Sequence, residues 1–201
     1  MTKIKCCGLS HLCDIEAANH LMPEYIGFVF APKSRRYVSA DKACVLKQAL
    51  SPEIKAVGVF VNETPEQIAA LTDKGIIDMI QLHGNEDEAY IEKLRALTDK
   101  PIIKAFRIET VADVEKAVQS TADAILLDSG AGTGKVFNWK LLADIKRPYF
   151  LAGGLALNNI KQALQQLTPD AVDVSSGIET DGDKDKEKMA AFIAAVRKED
   201  Q

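Results

Sequence analysis

What this sequence lacks narrows the possibilities first. No apolar run approaches the roughly 20 residues needed to cross a bilayer, so no membrane partner is expected. The opening MTKIKCCGLS has no apolar core of a secretion signal, and the cytoplasm is the expected compartment. Positive charge is in short supply: 25 Lys and Arg against 29 Asp and Glu leave a net −4, which argues against nucleic acid. Four cysteines (Cys6, Cys7, Cys13, Cys44) are too few and too clustered for a disulfide framework. Neighbouring strand residues point to opposite faces, so Cys6 and Cys7 could not easily share a metal, and none is expected. No linker or low-complexity segment interrupts the chain.

What is present is a regular alternation. With 201 residues, 47% hydrophobic and 27% charged, the chain suits one globular domain spanning 1–201. Short apolar runs read as strands at Lys3–Cys7, Tyr25–Phe30, Lys55–Val61, Met79–Leu82, Ile102–Phe106, Ala124–Asp128, Tyr149–Ala152 and Ala171–Val174. Between them lie helical patterns: Asp14–His20; a helix from Ser39 burying Ala43, Leu46 and Leu50; and one from Thr64-Pro65 with Gln67 closing a capping box and Ile68 and Leu71 facing the barrel. They continue with Glu86–Leu97, a helix opening at Thr110 with Val111, Val114 and Val118 on one face, and Asn138–Ile145. The last two carry Leu157, Ile160, Leu164 and Leu167, then Met189, Phe192, Ile193 and Val196. The pattern predicts an α/β protein, a single-domain (β/α)8 barrel of parallel strands with short loops, since about 250 residues is usual for that fold. An open doubly wound sheet is the runner-up, though it more often has fewer strands.

Counting back by twos from each strand end sorts the barrel faces. Cys7, Lys5 and Lys3 share a face of the first strand, and His83 and Gln81 one of the fourth. Phe106 and Lys104 share one of the fifth, Asp128 and Leu126 one of the sixth, Ser175 and Asp173 one of the eighth. A purely structural interior would be branched and apolar, so this polar layer near the strand C-termini has the character of a site. Its buried charges need partners, and closure makes Lys5 and Asp173 a natural pair. Cys7 precedes Gly8 at the barrel mouth, and Asp128 has no helix beginning close enough to cap. Arg35 and Arg36 sit on the loop after the second strand, suited to binding an anion. Gly153-Gly154 and Ser175-Ser176-Gly177 end the seventh and eighth strands, where such barrels usually hold a phosphate. Gly130–Lys135 superficially suggests a nucleotide loop but lacks the Walker spacing.

These residues, taken in order, resemble phosphoribosylanthranilate isomerases of tryptophan biosynthesis. The likeness rests on Lys5-Cys6-Cys7-Gly8, Gly27–Phe30, Ser34–Ser39, Val57–Asn62, Gln81–Glu86, Lys104–Arg107, Leu127-Asp128, Gly132–Lys135, Leu151–Leu155 and Asp173–Glu179. It implies an Amadori rearrangement of N-(5-phosphoribosyl)anthranilate to its 1-deoxyribulose isomer, without a cofactor. Cys7 would be the base and Asp128 the acid. Arg36 would bind the anthranilate carboxylate, Gly153, Gly154, Ser176 and Gly177 the phosphate, and Asp173 the region of the sugar; apart from the resemblance, the place of His83 at the end of the fourth strand makes it a further candidate substrate contact. Arg35 stands where Pro is common, which sets two neighbouring arginines in competition for the carboxylate. A monomer is the default assembly. Two alternatives stand beside this reading: another phosphosugar barrel (an epimerase or synthase), and an inactive binding barrel. An epimerase would usually show several metal-binding histidines; intact Cys7 and Asp128 speak against an inactive barrel.

Overall fold

The computed structural model describes residues 1–128, 139–142 and 145–200. Eight parallel strands close into a barrel in chain order: β1 (Lys3–Cys7), β2 (Tyr25–Val29), β3 (Lys55–Phe60), β4 (Met79–Leu82), β5 (Ile102–Arg107), β6 (Ala124–Asp128), β7 (Tyr149–Ala152) and β8 (Ala171–Val174). Closure comes from β1 pairing with β8 in the register Lys5↔Asp173. Around it run α1 (Leu12–Leu21), α2 (Ala40–Ala49), α3 (Pro65–Asp73), α4 (Glu88–Arg95), α5 (Val111–Gln119), α6 (Ile160–Gln166) and α7 (Lys186–Glu199). A short antiparallel pair, β9 (Glu179–Thr180) and β10 (Asp183–Lys184), precedes α7.

The outer faces of the strands and the inner faces of the helices form one large core, including Ile4, Cys6, Ile26, Phe28, Ile80, Ile125 and Leu151. Inside the barrel a second cluster gathers Tyr25, Val57, Met79, Ile103, Leu126 and Phe150. This alternation places Lys5, Cys7, Gln81, Asp128 and Asp173 on the inner side, as expected. It does not do so for β5. Ile103 and Ala105 belong to the inner cluster, so Lys104 and Phe106 face the helices. The strand runs one residue further, to Arg107, and counting back from Phe106 therefore chose the wrong face.

Helix starts follow local chemistry. Ser39, Thr110 and Asp185 cap α2, α5 and α7 by accepting backbone N–H bonds. Thr64 caps α3, but the reciprocal half of its box is absent: the Thr64 N–H goes to Glu63 Oε1 at 2.8 Å. Helix α4 begins later than expected, capped by Asp87, because Glu86 is spent on Lys104. The apolar stripe of α7 is fully buried. That of α5 is not: Val111 and Val118 are exposed and Ala117 is the buried contact. Leu157 precedes α6 and is exposed, while Ile160 and Ala163 pack inward. The expected sixth helix is represented by a 3-10 turn at Trp139–Leu142; Asn138 lies outside the described residues, as does Gly130–Lys135.

Candidate active site

The polar layer occupies the C-terminal mouth of the barrel, where Cys7 ends β1 and Asp128 ends β6. Gly27 stands beside Cys7 in the ladder, and a Cβ there would lie 2.6 Å from Cys7 Sγ, so a glycine makes room for the thiol. Lys5 is fully buried. Its ammonium meets Asp173 Oδ1 at 3.0 Å and Gln81 Oε1 at 2.8 Å. Burial works against that charge, but Asp173 and Cys7 together outweigh it and hold the ammonium above its ordinary range. Burial likewise pushes the Cys7 thiol up, and Lys5 pulls it back only in part. Desolvation thus outweighs the pull of the neighbouring ammonium. Cys6, on the helix side, is driven by burial to about 12.

From Gln81 the chain of contacts continues across the barrel. Gln81 Nε2 is 2.8 Å from His83 Nδ1, and His83 Nε2 is 3.4 Å from Asp128 Oδ2. A cleft of about 660 Å³ opens here, with His83, Lys104, Phe106, Arg107 and Asp128 among its described walls. His83 is thus a neighbour of the expected acid, and Cys7 lies outside that cleft wall.

On the other side of the mouth, Arg36 lies so close over Gly8 that a Cβ there would sit 2.4 Å from Arg36 Cδ; Gly8 also has φ 82°. Glu179 grips Arg36 side-on, accepting from Nε at 2.6 Å and Nη2 at 2.9 Å. Arg35 pairs with the same carboxylate, and Lys184 reaches it at 2.6 Å. Burial alone would raise Glu179, but its bonds to Arg36 and Lys184 hold it at about 2. Lys184 also donates to the Ser175 carbonyl at 3.0 Å, linking this cluster to the end of β8. Sequence reasoning assigned no role to Glu179 or Lys184. The available signal was Asp181-Gly182, both at positive φ, the residue pair that favours a tight hairpin between β9 and β10.

The glycine loops adjoin as expected. Gly153 and Gly154 have φ of 93° and 65° after β7. Gly177 bridges to Ala156, and a Cβ on it would lie 2.0 Å from the Leu155 carbonyl oxygen, so only glycine lets these two loops meet. Ser175 Oγ donates to the Cys7 carbonyl at 3.1 Å, tying the eighth-strand loop to β1. Among the described residues no group of three or more His, Cys, Asp or Glu is arranged to hold a metal ion, and no helix is long and apolar enough to cross a membrane.

Comparison with known proteins agrees with this architecture. The family model of N-(5'-phosphoribosyl)anthranilate isomerase matches residues 4–195. The N-(5'-phosphoribosyl)anthranilate isomerase of Clostridium acetobutylicum is 45% identical, the alignment covering 98% of this chain and 99% of that one. The crystal structure of phosphoribosyl anthranilate isomerase from Thermotoga maritima superposes with a TM-score of 0.90 at 34% identity, covering 98% of this chain and all of the other. A further isomerase structure, in complex with reduced 1-(o-carboxyphenylamino)-1-deoxyribulose 5-phosphate, gives a TM-score of 0.87 at 34% identity, covering 98% of this chain and 100% of that one. The chain belongs to the N-(5'-phosphoribosyl)anthranilate isomerase family, and is an isomerase of tryptophan biosynthesis built on a (β/α)8 barrel.

Proposed function

We propose that Cys7 and Asp128 are the base and the acid of this isomerase, acting on N-(5'-phosphoribosyl)anthranilate as an aldose–ketose isomerase, an intramolecular oxidoreductase, without a cofactor. Asp128 gives its proton to the ribose ring oxygen, the C1–O bond breaks, and an iminium forms between C1 and nitrogen. Cys7 as thiolate takes the proton from C2, the C2–H electrons form the C1=C2 bond, and the C=N pair returns to nitrogen. Tautomerisation of this enaminol places a proton on C1 and leaves the C2 ketone. The observation that carries the reading is the placement of a buried thiol and a carboxyl at the ends of β1 and β6, in the mouth of one barrel. Burial makes the thiolate scarce but strongly basic once formed.

Arg36 takes the anthranilate carboxylate, with Glu179 fixing its side-on face and leaving Nη1 for the ligand. Gly153, Gly154, Ser176 and Gly177 hold the phosphate at adjoining loops. Asp173 stands near the sugar, and His83 lies at its far edge beside Asp128. Anchoring both ends of the substrate converts binding into orientation of the carbon that loses its proton. A monomer of one barrel domain, residues 1–201, is the catalytic unit in this reading. The cytoplasm, where its metabolite substrate would be found, is the proposed compartment. Loss of anthranilate-adduct fluorescence measures the reaction. Cys7→Ser and Asp128→Asn should each lower kcat by ~10²-fold or more with ligand affinity retained. Near-normal turnover by either variant removes that residue from the mechanism.

A further inference from the structure

The contacts between Lys5 and Asp128 fix more than position. An ammonium has three donors and no acceptor. Lys5 Nζ therefore dictates which end of the Gln81 amide faces it, and Oε1 does so at 2.8 Å. The amide nitrogen is then turned the other way, 2.8 Å from His83 Nδ1. That nitrogen is only a donor, so Nδ1 must offer its lone pair, and the ring proton belongs on Nε2, which faces Asp128 at 3.4 Å. An imidazolium would set N–H against N–H at Gln81.

We propose that Lys5, acting through Gln81, holds His83 neutral with its proton on Nε2, making Gln81 and His83 positioning residues for Asp128. The inference rests on Asp128 being the acid. A positive ring beside it would keep that carboxyl ionised and remove the proton it must donate. A neutral Nε2–H leaves the proton in place, aims the carboxyl, and strengthens as negative charge develops on Asp128 during transfer.

The groups that set this orientation are fixed, although the His83 side chain itself is 36% exposed. Lys5 is fully buried and Gln81 nearly so. The His83 N–H donates to the Phe60 carbonyl at 2.8 Å, and the next residue, Gly84, is held by Glu86 at 2.8 Å and by Lys104 at 2.7 Å. Among the described residues, the charged groups that share this cleft are Glu86, Asp87 and Glu88 after β4, Lys104 and Arg107 of β5, and Asp113 and Lys116 of α5. Lys104 pairs with Glu86 at 2.8 Å and Arg107 with Glu109 at 2.7 Å. The β6 partner is Asp128 itself.

Nitrogen NMR of the full chain labelled in its histidine rings, at neutral pH, decides the matter, with the His83 signals assigned by their disappearance in His83→Gln. A pyridine-like Nδ1 and a pyrrole-like Nε2 are expected. Gln81→Glu keeps the contact with Lys5 but presents an acceptor to Nδ1. It should make both ring nitrogens pyrrole-like and lower kcat by ~10-fold or more with little change in KM. Gln81→Met removes the lock without adding charge; the tautomer preference should fade and kcat fall less far. A native ring carrying its proton on Nδ1, or on both nitrogens, overturns the proposal, whether or not the variants fold. So does a folded Gln81→Glu protein with an unchanged ring spectrum or an unchanged kcat. The nitrogen spectrum reports on the lock alone, whereas full turnover by Asp128→Asn would instead refute the acid assignment.

Discussion

Two neighbouring cysteines with opposite surroundings show how much one position along a strand decides. Cys6 is packed among aliphatic groups with its thiol pushed to about 12, and Cys7 lines the barrel interior beside Lys5. Brief treatment with a small alkylating reagent should modify Cys7 well ahead of Cys6, activity falling in step, and a product analogue should protect. Peptide mapping that finds equal labelling contradicts the register. Cys7 is 8% exposed, so the reaction should be slow compared with that of the exposed Cys13. The paired arginines separate in the same way. Arg36 lies over Gly8 and is held by two bonds to Glu179, while the Arg35 side chain is 59% exposed. Arg36→Ala should raise KM more than Arg35→Ala does; the reverse order would shift the carboxylate anchor by one residue. The opposite faces of Cys6 and Cys7 were legible in the sequence because strand residues alternate, whereas the choice between two arginines on a loop was not. Glu179 was not, since its importance lies in three cations brought together from β10 and the loop after β2.

Elements join through glycines wherever two backbones or a backbone and a thiol come too close for a Cβ. Gly27 on β2 leaves space for Cys7 Sγ at 2.6 Å from where a methyl would stand. Gly27→Ala should fold, displace the thiol, and lower kcat by up to ~10²-fold, the scale on which a misplacement of about 1 Å is felt. Unchanged kcat would mean that the thiol's position is not critical. At the other loops, Gly177→Ala forces a methyl onto the Leu155 carbonyl. It should lower Tm and raise KM through the phosphate end. Sequence pattern located nearly all the strands within a residue, because buried runs bounded by turn residues are unambiguous. It failed on the fifth strand's parity, where an Arg at the exposed end read as loop, and on the valine face of α5, where Ala117 makes the contact. Periodicity identifies an apolar stripe, not the degree to which the barrel covers it.

Across the whole molecule, closure of β1 on β8 places Asp173 against Lys5, and the hairpin before α7 carries Glu179 to Arg36. At the opposite end of the barrel, where the strands begin, the chain ends are joined, Thr2 bonding to Asp200 and Arg197 to Glu24. Glu179 gives this assembly a definite pH signature. Its folded pKa lies below the ordinary 4.5, at about 2, so its stabilisation is present above pH 4.5 and is lost as pH falls toward 2. Urea unfolding should show native protein more stable than Glu179→Gln at neutral pH. That gap should shrink by on the order of 1–2 kcal/mol on acidification, once solvent screening at the mouth is allowed for. A constant gap would contradict the charge assignment.

The central claim is that Cys7 removes the C2 proton, and single-turnover kinetics with substrate deuterated at C2 test it most directly. In Cys7→Ser the chemical step should become at least ~10²-fold slower and carry a full primary isotope effect, because proton abstraction then limits the reaction. A Cys7→Ser protein that turns over at the native rate with the native isotope effect would contradict the account.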